Sequence, residues 1–170
     1  MARPLVAVVM GSSTDLGTMS AATEMLANFD IPYEEKIISA HRSPKALHNY
    51  IDQLSSRHVE VVVAGAGKAA HLPGVIASLT TLPVIGVPMA TADLGGLDSL
   101  LSIVQMPTGV PVATVAINGA ANAAVLAAQI LGLKHPAIAE RLARYKEDLA
   151  VPAGVPAGTT GDQLDVIEDD

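Results

Sequence analysis

The amino-acid sequence predicts an α/β fold in which a parallel β-sheet is covered by helices on both faces. First, short apolar runs alternate with longer segments in which apolar residues recur at helical spacing. Second, Gly, Pro, Asp or Ser residues bound these runs, as they commonly bound strands. Third, a length of 170 residues corresponds to about one domain. One sheet with its covering helices therefore accounts for most of the chain.

Five strands are predicted, and most of them are apolar and rich in β-branched residues. Runs without polar alternation are typical of parallel strands that are buried on both faces. The alternation of strands with helical segments favours helical crossovers between parallel neighbours. The predicted strands are residues 5–10, 33–38, 59–65, 84–87 and 112–117.

The helices are predicted from apolar periodicity and from proline at their first turns. Apolar residues recur every three or four positions from Leu16 to Phe29, and Pro44 opens a second amphipathic helix. An Ala-rich helix over residues 118–131 precedes a last helix that begins at Pro136, and this pair forms a C-terminal helical extension. The small side chains of the Ala-rich helix favour close approach by another helix or another subunit, which predicts an oligomer.

Residues 1–150 are predicted to form the α/β domain, and residues 151–170 a tail. The tail is rich in Pro and Gly and then in acids, which predicts a flexible or draped segment. Five of the 17 acidic residues lie there and no Lys or Arg does, so the domain itself carries about −2 of the net charge of −7. A near-neutral domain with 2% aromatic residues is not expected to bind nucleic acid.

Several classes of chemistry are excluded by composition. The chain contains no cysteine, so disulfides, thiol nucleophiles and thiolate metal sites are ruled out, and no His, Asp and Glu set has metal-ligand spacing. No membrane partner is expected, because apolar stretches of about 18 residues without breaks are absent. The first strand is too short for a signal peptide, so a cytoplasmic location is expected.

Polar residues collect in the loops that follow the predicted strands. Right-handed crossovers place all of these loops at the carboxyl edge of a parallel sheet, where ligands bind. The first such loop holds Ser12, Thr14 and Asp15, whose oxygens suit a phosphate or a ribose diol. The same residue types are those of an ordinary helix N-cap, and this loop taken alone favours that interpretation.

The second loop places His41 beside Arg42, between Ser39 and the helix that begins at Pro44. A guanidinium can hold a dianion with two parallel hydrogen bonds, and an imidazole can both donate and accept a proton near neutral pH. A solvated arginine and a loop histidine bonded to backbone are the alternatives. We favour a functional interpretation for both, because the first loop also suits an anion.

The third loop follows a buried strand with the sequence Ala-Gly-Ala-Gly, which requires close backbone approach or a positive φ. Its backbone amides could line a planar ligand. On local sequence alone, His71 is interpreted as a structural loop histidine and Lys68 as a charge that faces solvent.

Four blocks of the sequence, in this order, carry a specific resemblance to a known family. They are residues 9–15 (VMGSSTD), 39–44 (SAHRSP), 64–74 (AGAGKAAHLPG) and 97–111 (LDSLLSIVQMPTGVP). Over roughly residues 5–150 the chain resembles the class I N5-carboxyaminoimidazole ribonucleotide mutases of purine biosynthesis. The resemblance implies a flavodoxin-like, three-layer αβα sandwich that assembles as a homo-octamer. It also implies conversion of N5-carboxyaminoimidazole ribonucleotide to 4-carboxy-5-aminoimidazole ribonucleotide without cofactor or metal.

The resemblance also implies roles for individual residues. Ser12 and Thr14 would bind the phosphate and sugar end, Asp15 the ribose hydroxyls, and Ser39 with Arg42 the phosphate. His41 would be the catalytic acid and base. The loop passing over the aminoimidazole and its carboxyl group would consist of Ala66, Gly67, Lys68, Ala69, His71 and Leu72.

Lys68 stands where the family usually has Gly, so its side chain either restricts this loop or adds a cation near the ligand's carboxylate. Two other functions remain open. A related carboxylase would use aminoimidazole ribonucleotide and CO2 directly and would share the fold and the His41–Arg42 loop. The second alternative is a non-catalytic nucleotide- or flavin-binding protein of this fold. Flavins usually stack on aromatic rings, however, and the few aromatic residues are predicted to lie away from the site.

Overall fold

Five parallel strands form one sheet in the computed structural model, which describes residues 3–150. The predicted tail, residues 151–170, lies outside the described residues. The strand order is β2-β1-β3-β4-β5, which is the order of flavodoxin-like, doubly wound sheets. The strands are β1 (Val6–Met10), β2 (Tyr33–Ile37), β3 (Val61–Ala66), β4 (Val84–Pro88) and β5 (Ala113–Thr114).

Six α-helices cover the two faces of this sheet, and the predicted three-layer αβα class is confirmed. One face packs against the first and the last two helices, and the other face against the three between them. In chain order the helices are α1 (Leu16–Asn28), α2 (Pro44–Asp52), α3 (Leu72–Leu79), α4 (Leu97–Val104), α5 (Ala120–Gly132) and α6 (Pro136–Ala150). None of the described helices is long and apolar enough to cross a membrane.

The two faces of the sheet bury separate apolar cores. In β1, Val6, Val8 and Met10 pack towards α1 and α5, whereas Ala7 and Val9 pack towards α2 and α3. This alternation follows from the two-residue period of a strand. Because both faces are covered, every residue of β1, β3 and β4 is buried, which explains why these strands are apolar throughout.

The fifth strand is shorter than predicted. Only Ala113 and Thr114 pair with β4, whereas residues 112–117 were expected to be extended. The Val115 N–H still donates to the Gly86 carbonyl, at 3.1 Å. The next donor along β4 would be Pro88, which has no N–H, so the ladder ends there. The other four strands agree with prediction to within two residues at either end.

The helix α4 was not predicted, and it leaves an apolar stripe exposed. It begins after Gly96, whose φ of 96° is open to glycine and strained for other residues. Ile103 is buried on the sheet side, whereas Leu97, Leu101 and Val104 are about half exposed. Their spacing of four and three residues places them on one side of the helix.

The Ala-rich helix uses its small side chains within the chain. Ala123, Ala124, Ala127 and Ala128 of α5 are fully buried in the core that α1, α6 and the sheet share. Close helix packing therefore explains these alanines without a second subunit. The expectation of an oligomer cannot rest on this helix.

Candidate active site

A cleft of about 540 Å³ opens at the carboxyl edge of the sheet, where the loops after β1, β2, β3 and β4 meet. Parallel strands with right-handed crossovers bring these loops to one edge, as expected. Every site residue predicted from sequence lines this cleft. They are Ser12, Thr14, Asp15, Ser39, His41, Arg42, Ala66, Gly67, Lys68, Ala69, His71 and Leu72.

The loop after β1 combines a helix cap with a lining of the cleft. The Ser12 Oγ accepts hydrogen bonds from the Thr14 backbone N–H at 3.3 Å and from the Thr14 hydroxyl at 2.9 Å. The N-cap interpretation is therefore correct for Ser12. Asp15 precedes α1 but makes no side-chain cap bond. Its Oδ1 accepts a hydrogen bond from the Thr14 hydroxyl at 3.3 Å, and Asp15 lines the cleft.

Asp15 is also electrostatically unusual. Burial raises the pKa of its carboxyl group above the ordinary aspartate value, and hydrogen bonds with Thr14 and the Ser12 backbone oppose this rise. A carboxylate that is partly desolvated gains more than an exposed one from hydrogen bonds to its charged form. Asp15 is therefore suited to accept hydrogen bonds from hydroxyl groups of a ligand.

The loop after β2 lies directly beside the loop after β1, because β2 and β1 are neighbours. The Nη2 atom of Arg42 donates a hydrogen bond to the carbonyl oxygen of Gly11, at 3.2 Å. The Arg42 backbone N–H donates to the Ser39 Oγ at 3.2 Å, which fixes the turn before α2. The guanidinium is thereby held against the loop that carries Ser12 and Thr14, and all three residues line the cleft.

His41 and His71 contact each other across the cleft. Their Nε2 and Nδ1 atoms, respectively, are 2.9 Å apart, and the rings meet edge to face at 85° with centroids 5.0 Å apart. An N···N hydrogen bond needs one N–H and one lone pair, so the contact couples the protonation of the two facing nitrogens: when one carries the proton, the other accepts it. From the sequence of its own loop, His71 was interpreted as a structural histidine. Its partner, His41, lies 30 residues away in the sequence, so the local pattern did not indicate the contact.

The third loop approaches its neighbours closely, as expected, but its left-handed residue is not a glycine. A Cβ on Gly67 would lie 3.3 Å from side-chain atoms of Met89 and Thr91. The positive φ, 57°, falls on Lys68. The Lys68 N–H donates to the buried Ser99 Oγ at 2.9 Å, which holds this strained residue in place.

The Lys68 side chain forms an ion pair with the loop after β4. Its Nζ lies 2.6 Å from an Asp93 carboxylate oxygen, and the two side chains are 70% and 59% exposed. The hydrogen bond and the charge of Asp93 raise the pKa of Lys68, so the amine is protonated at neutral pH. The predicted solvent-facing charge thus has a specific partner.

The loop after β4 also lines the cleft, although the sequence did not indicate a role for its residues. Met89, Ala90, Thr91 and Ala92 line the cleft. The Ala90 N–H donates at 2.8 Å to the side-chain oxygen of Asn118, which itself has a φ of 58°. The signal that could have found Asn118 is its residue type, since asparagine tolerates left-handed backbone next to a predicted helix start.

Among the described residues, no Phe or Tyr side chain lines the cleft: Phe29, Tyr33, Tyr50 and Tyr145 are all elsewhere. Flavin carriers usually stack the isoalloxazine ring on aromatic residues, so the cleft does not favour a flavin. Within residues 3–150 there is no group of three or more His, Asp or Glu that could hold a metal ion. The polar groups of the cleft instead suit a ligand with an anionic end, hydroxyl groups and a site for proton transfer.

The fold and the cleft define a flavodoxin-like α/β protein with a polar binding cleft at the carboxyl edge of its sheet. A crystal structure of PurE from Treponema denticola superposes with a TM-score of 0.80 at 30% identity, covering 87% of this chain and 92% of that one. The family model described as AIR carboxylase matches residues 5–152, and the chain belongs to this family.

Proteins named N5-carboxyaminoimidazole ribonucleotide mutase are more similar in sequence. The one from Pyrococcus horikoshii is 58% identical over 147 residues, which cover 86% of this chain and 83% of that protein. The one from Thermotoga maritima is 58% identical over 144 residues, covering 85% and 84%, respectively. The resemblance to this family that the sequence motifs indicated is confirmed.

Proposed function

We propose that this protein is an isomerase that converts N5-carboxyaminoimidazole ribonucleotide to 4-carboxy-5-aminoimidazole ribonucleotide in purine biosynthesis. The names of its relatives support the reaction. The observation that carries the proposal is that His41, His71 and Arg42 line one cleft, with His41 and His71 in direct contact. A side chain able to transfer protons therefore shares the cleft with one able to hold an anion, which supports the proposal.

The phosphate and the ribose occupy the end of the cleft formed by the first two loops. Arg42 and the hydroxyls of Ser12, Thr14 and Ser39 bind the phosphate, because a guanidinium and several hydroxyls supply convergent donors. Asp15 accepts hydrogen bonds from the ribose hydroxyls. These contacts fix the substrate at its non-reacting end, and the binding energy there orients the reacting ring.

The first chemical step breaks the bond between the exocyclic nitrogen and the carboxyl carbon. CO2 leaves, the bonding electron pair remains on nitrogen, and protonated His41 donates a proton to that nitrogen. The products are aminoimidazole ribonucleotide, CO2 and neutral His41. His71 is the positioning residue for this step, since its hydrogen bond fixes the orientation of the His41 ring.

The second step forms the new bond at carbon 4. The electron-rich ring attacks CO2 through carbon 4, giving a carboxylate on a carbon that still bears its hydrogen. Neutral His41 then removes that proton and the ring regains aromaticity. One histidine therefore returns to its starting state after both steps, and atoms and charge balance without a further reactant.

CO2 must be retained between the two steps. Backbone of the third loop, with the buried Ala66 and Ala70 at its ends, forms this side of the cleft together with Gly67, Ala69 and Leu72. Small side chains allow backbone to approach a planar ring and leave little space for water. Confinement next to carbon 4 then supplies the effective concentration that free CO2 lacks.

We further propose a cytoplasmic homo-oligomer, which the family resemblance predicts to be an octamer. The exposed apolar stripe of α4, formed by Leu97, Leu101 and Val104, supports contact with another subunit, because exposed patches of this kind commonly mark interfaces. Leu94, in the turn that precedes α4, is exposed as well. Replacing Leu97 and Leu101 by Asp should lower the molar mass in light scattering; an unchanged mass would place the interface elsewhere.

An assay without ATP tests the proposed reaction against the carboxylase alternative. The protein is given either N5-carboxyaminoimidazole ribonucleotide or aminoimidazole ribonucleotide with bicarbonate, and 4-carboxy-5-aminoimidazole ribonucleotide is measured. Faster product formation from the first substrate at matched low concentrations supports the mutase. Product from the second mixture alone would establish the carboxylase, and binding without turnover of either would indicate a non-catalytic nucleotide-binding protein.

A further inference from the structure

Lys68 is a second cation in the cleft, apart from the proposed phosphate site. Arg42 follows β2 and Lys68 follows β3, and these strands flank β1. Two strand spacings, about 10 Å, therefore separate the ends of the strands that carry them. The contact between His41 and His71 joins the same two loops. A ligand in contact with the histidines thus has cations available on both of its sides.

The backbone of Lys68 is fixed although its side chain is exposed. Its N–H is bound by the buried Ser99 Oγ, and its carbonyl accepts the Ala70 N–H at 2.8 Å. These bonds hold the residue at a φ of 57°, a conformation that disfavours side chains with a Cβ. The ammonium group therefore moves on a fixed base that lines the cleft.

The partner of Lys68 is one that a ligand can replace. Asp93 and Lys68 are both more than half exposed, and exposed ion pairs contribute little to stability. Asp98 adds negative charge nearby and helps to keep the amine protonated. A carboxylate of a ligand could form the same charged hydrogen bond with Lys68 that Asp93 forms, inside the cleft and with less contact with solvent.

We infer that Lys68 exchanges Asp93 for the carboxylate of the ribonucleotide and thereby selects carboxylated ligands over uncarboxylated aminoimidazole ribonucleotide. This inference rests on the proposed function. Lys68 acts on the bound substrate and product, which both carry a carboxylate, and has no such partner while the carboxyl group is CO2. It therefore lowers KM and the dissociation constant of the product rather than raising kcat.

The test is calorimetric titration of the wild type and of variants with two ribonucleotides that differ by one carboxylate, 4-carboxy-5-aminoimidazole ribonucleotide and aminoimidazole ribonucleotide. Lys68→Met should weaken binding of the first about tenfold and of the second less than about twofold. Lys68→Arg should restore the preference. Asp93→Asn should tighten binding of the carboxylated ligand by about two- to fivefold, because Lys68 loses its competitor.

The matched control is Lys134→Met, which removes a lysine of equal exposure, 70%, that pairs with Glu60 outside the cleft. It should leave both affinities unchanged. Equal weakening of both ligands by Lys68→Met, no weakening of either, or weaker carboxylate binding in Asp93→Asn would overturn the inference. The proposed function fails separately, if the wild type does not convert N5-carboxyaminoimidazole ribonucleotide.

Discussion

The Nε2 atom of His41 lies 2.9 Å from the Nδ1 atom of His71, although 30 residues separate the two in the sequence. Each ring is carried by a different loop at the carboxyl edge of the sheet. The contact therefore depends on the strand order, which places β2 and β3 on either side of β1. It gives the proposed acid and base a fixed ring orientation before any ligand is present.

Replacing His71 by Asn tests its role as a positioning residue. We expect kcat to fall about 10- to 100-fold, with a small change in KM, because His41 remains present but its ring is less well oriented. The pH dependence of kcat should change as well, since one partner of the proton-transferring group is lost. The control His48→Asn removes an exposed histidine on α2, outside the cleft. An unaltered pH profile in His71→Asn would show that the contact has no part in the proton steps.

Replacing Arg42 by Lys tests the proposed phosphate contact. Lysine keeps the charge but cannot make two parallel hydrogen bonds, and it also loses the bond to Gly11. We expect KM to rise about tenfold or more, and inhibition by inorganic phosphate to weaken in parallel. Arg144→Lys, on the exposed side of α6, is the control. If KM rises while phosphate inhibition is unchanged, Arg42 does not hold the phosphate.

Ionisation of Asp15 should favour ligand binding but lower the stability of the fold. Because burial raises its folded pKa, the ionised group is destabilising, so the contribution of Asp15 to stability is greatest at low pH and is lost as the pH rises through the folded pKa. Asp15→Asn should therefore raise Tm at pH 7 relative to the wild type, and this gain should vanish in acid. The same change should raise KM about 10- to 100-fold through weaker ribose contacts. A lower Tm at pH 7 would contradict the assignment.

Gly65 should tolerate no side chain. A Cβ at this position would lie 2.6 Å from the Met19 sulfur and would also meet Met89. Gly65→Ala is expected to cost about 1–3 kcal/mol in the free energy of unfolding, measured with urea. Gly17→Ala is the comparison, since a Cβ on this glycine of α1 would have nothing within 4 Å of it. That change should be neutral or stabilising by up to about 1 kcal/mol; equal effects would mean that the surroundings of Gly65 yield easily.

The fold and the location of the cleft followed from sequence because they depend on local patterns. The apolar strands, the helical periodicity and the loops after each strand are visible in the order of residues. Parallel topology then brings the carboxyl ends together whatever the details of packing. The short length of β5 was missed because it depends on Pro88 of another strand. The helix α4 was missed because it carries apolar residues on its exposed side as well as on its buried side, so its pattern is not that of a simple amphipathic helix.

The contacts that organise the cleft could not be predicted in the same way. His41 with His71, Lys68 with Asp93, and Asn118 with Ala90 each join separate segments of the chain. Each residue alone fits an ordinary loop. The left-handed conformation of Lys68 also depends on Ser99, which lies beyond the next strand.

His41→Asn, assayed without ATP for conversion of N5-carboxyaminoimidazole ribonucleotide, tests most directly whether this imidazole performs both proton transfers. Asparagine can still accept and donate hydrogen bonds but cannot take up a proton in this pH range. We expect kcat to fall by about 10²–10⁴-fold, while the dissociation constant of 4-carboxy-5-aminoimidazole ribonucleotide on the same sample stays within a few-fold of the wild type. Turnover near the wild-type rate in a variant that binds normally would remove His41 from the mechanism.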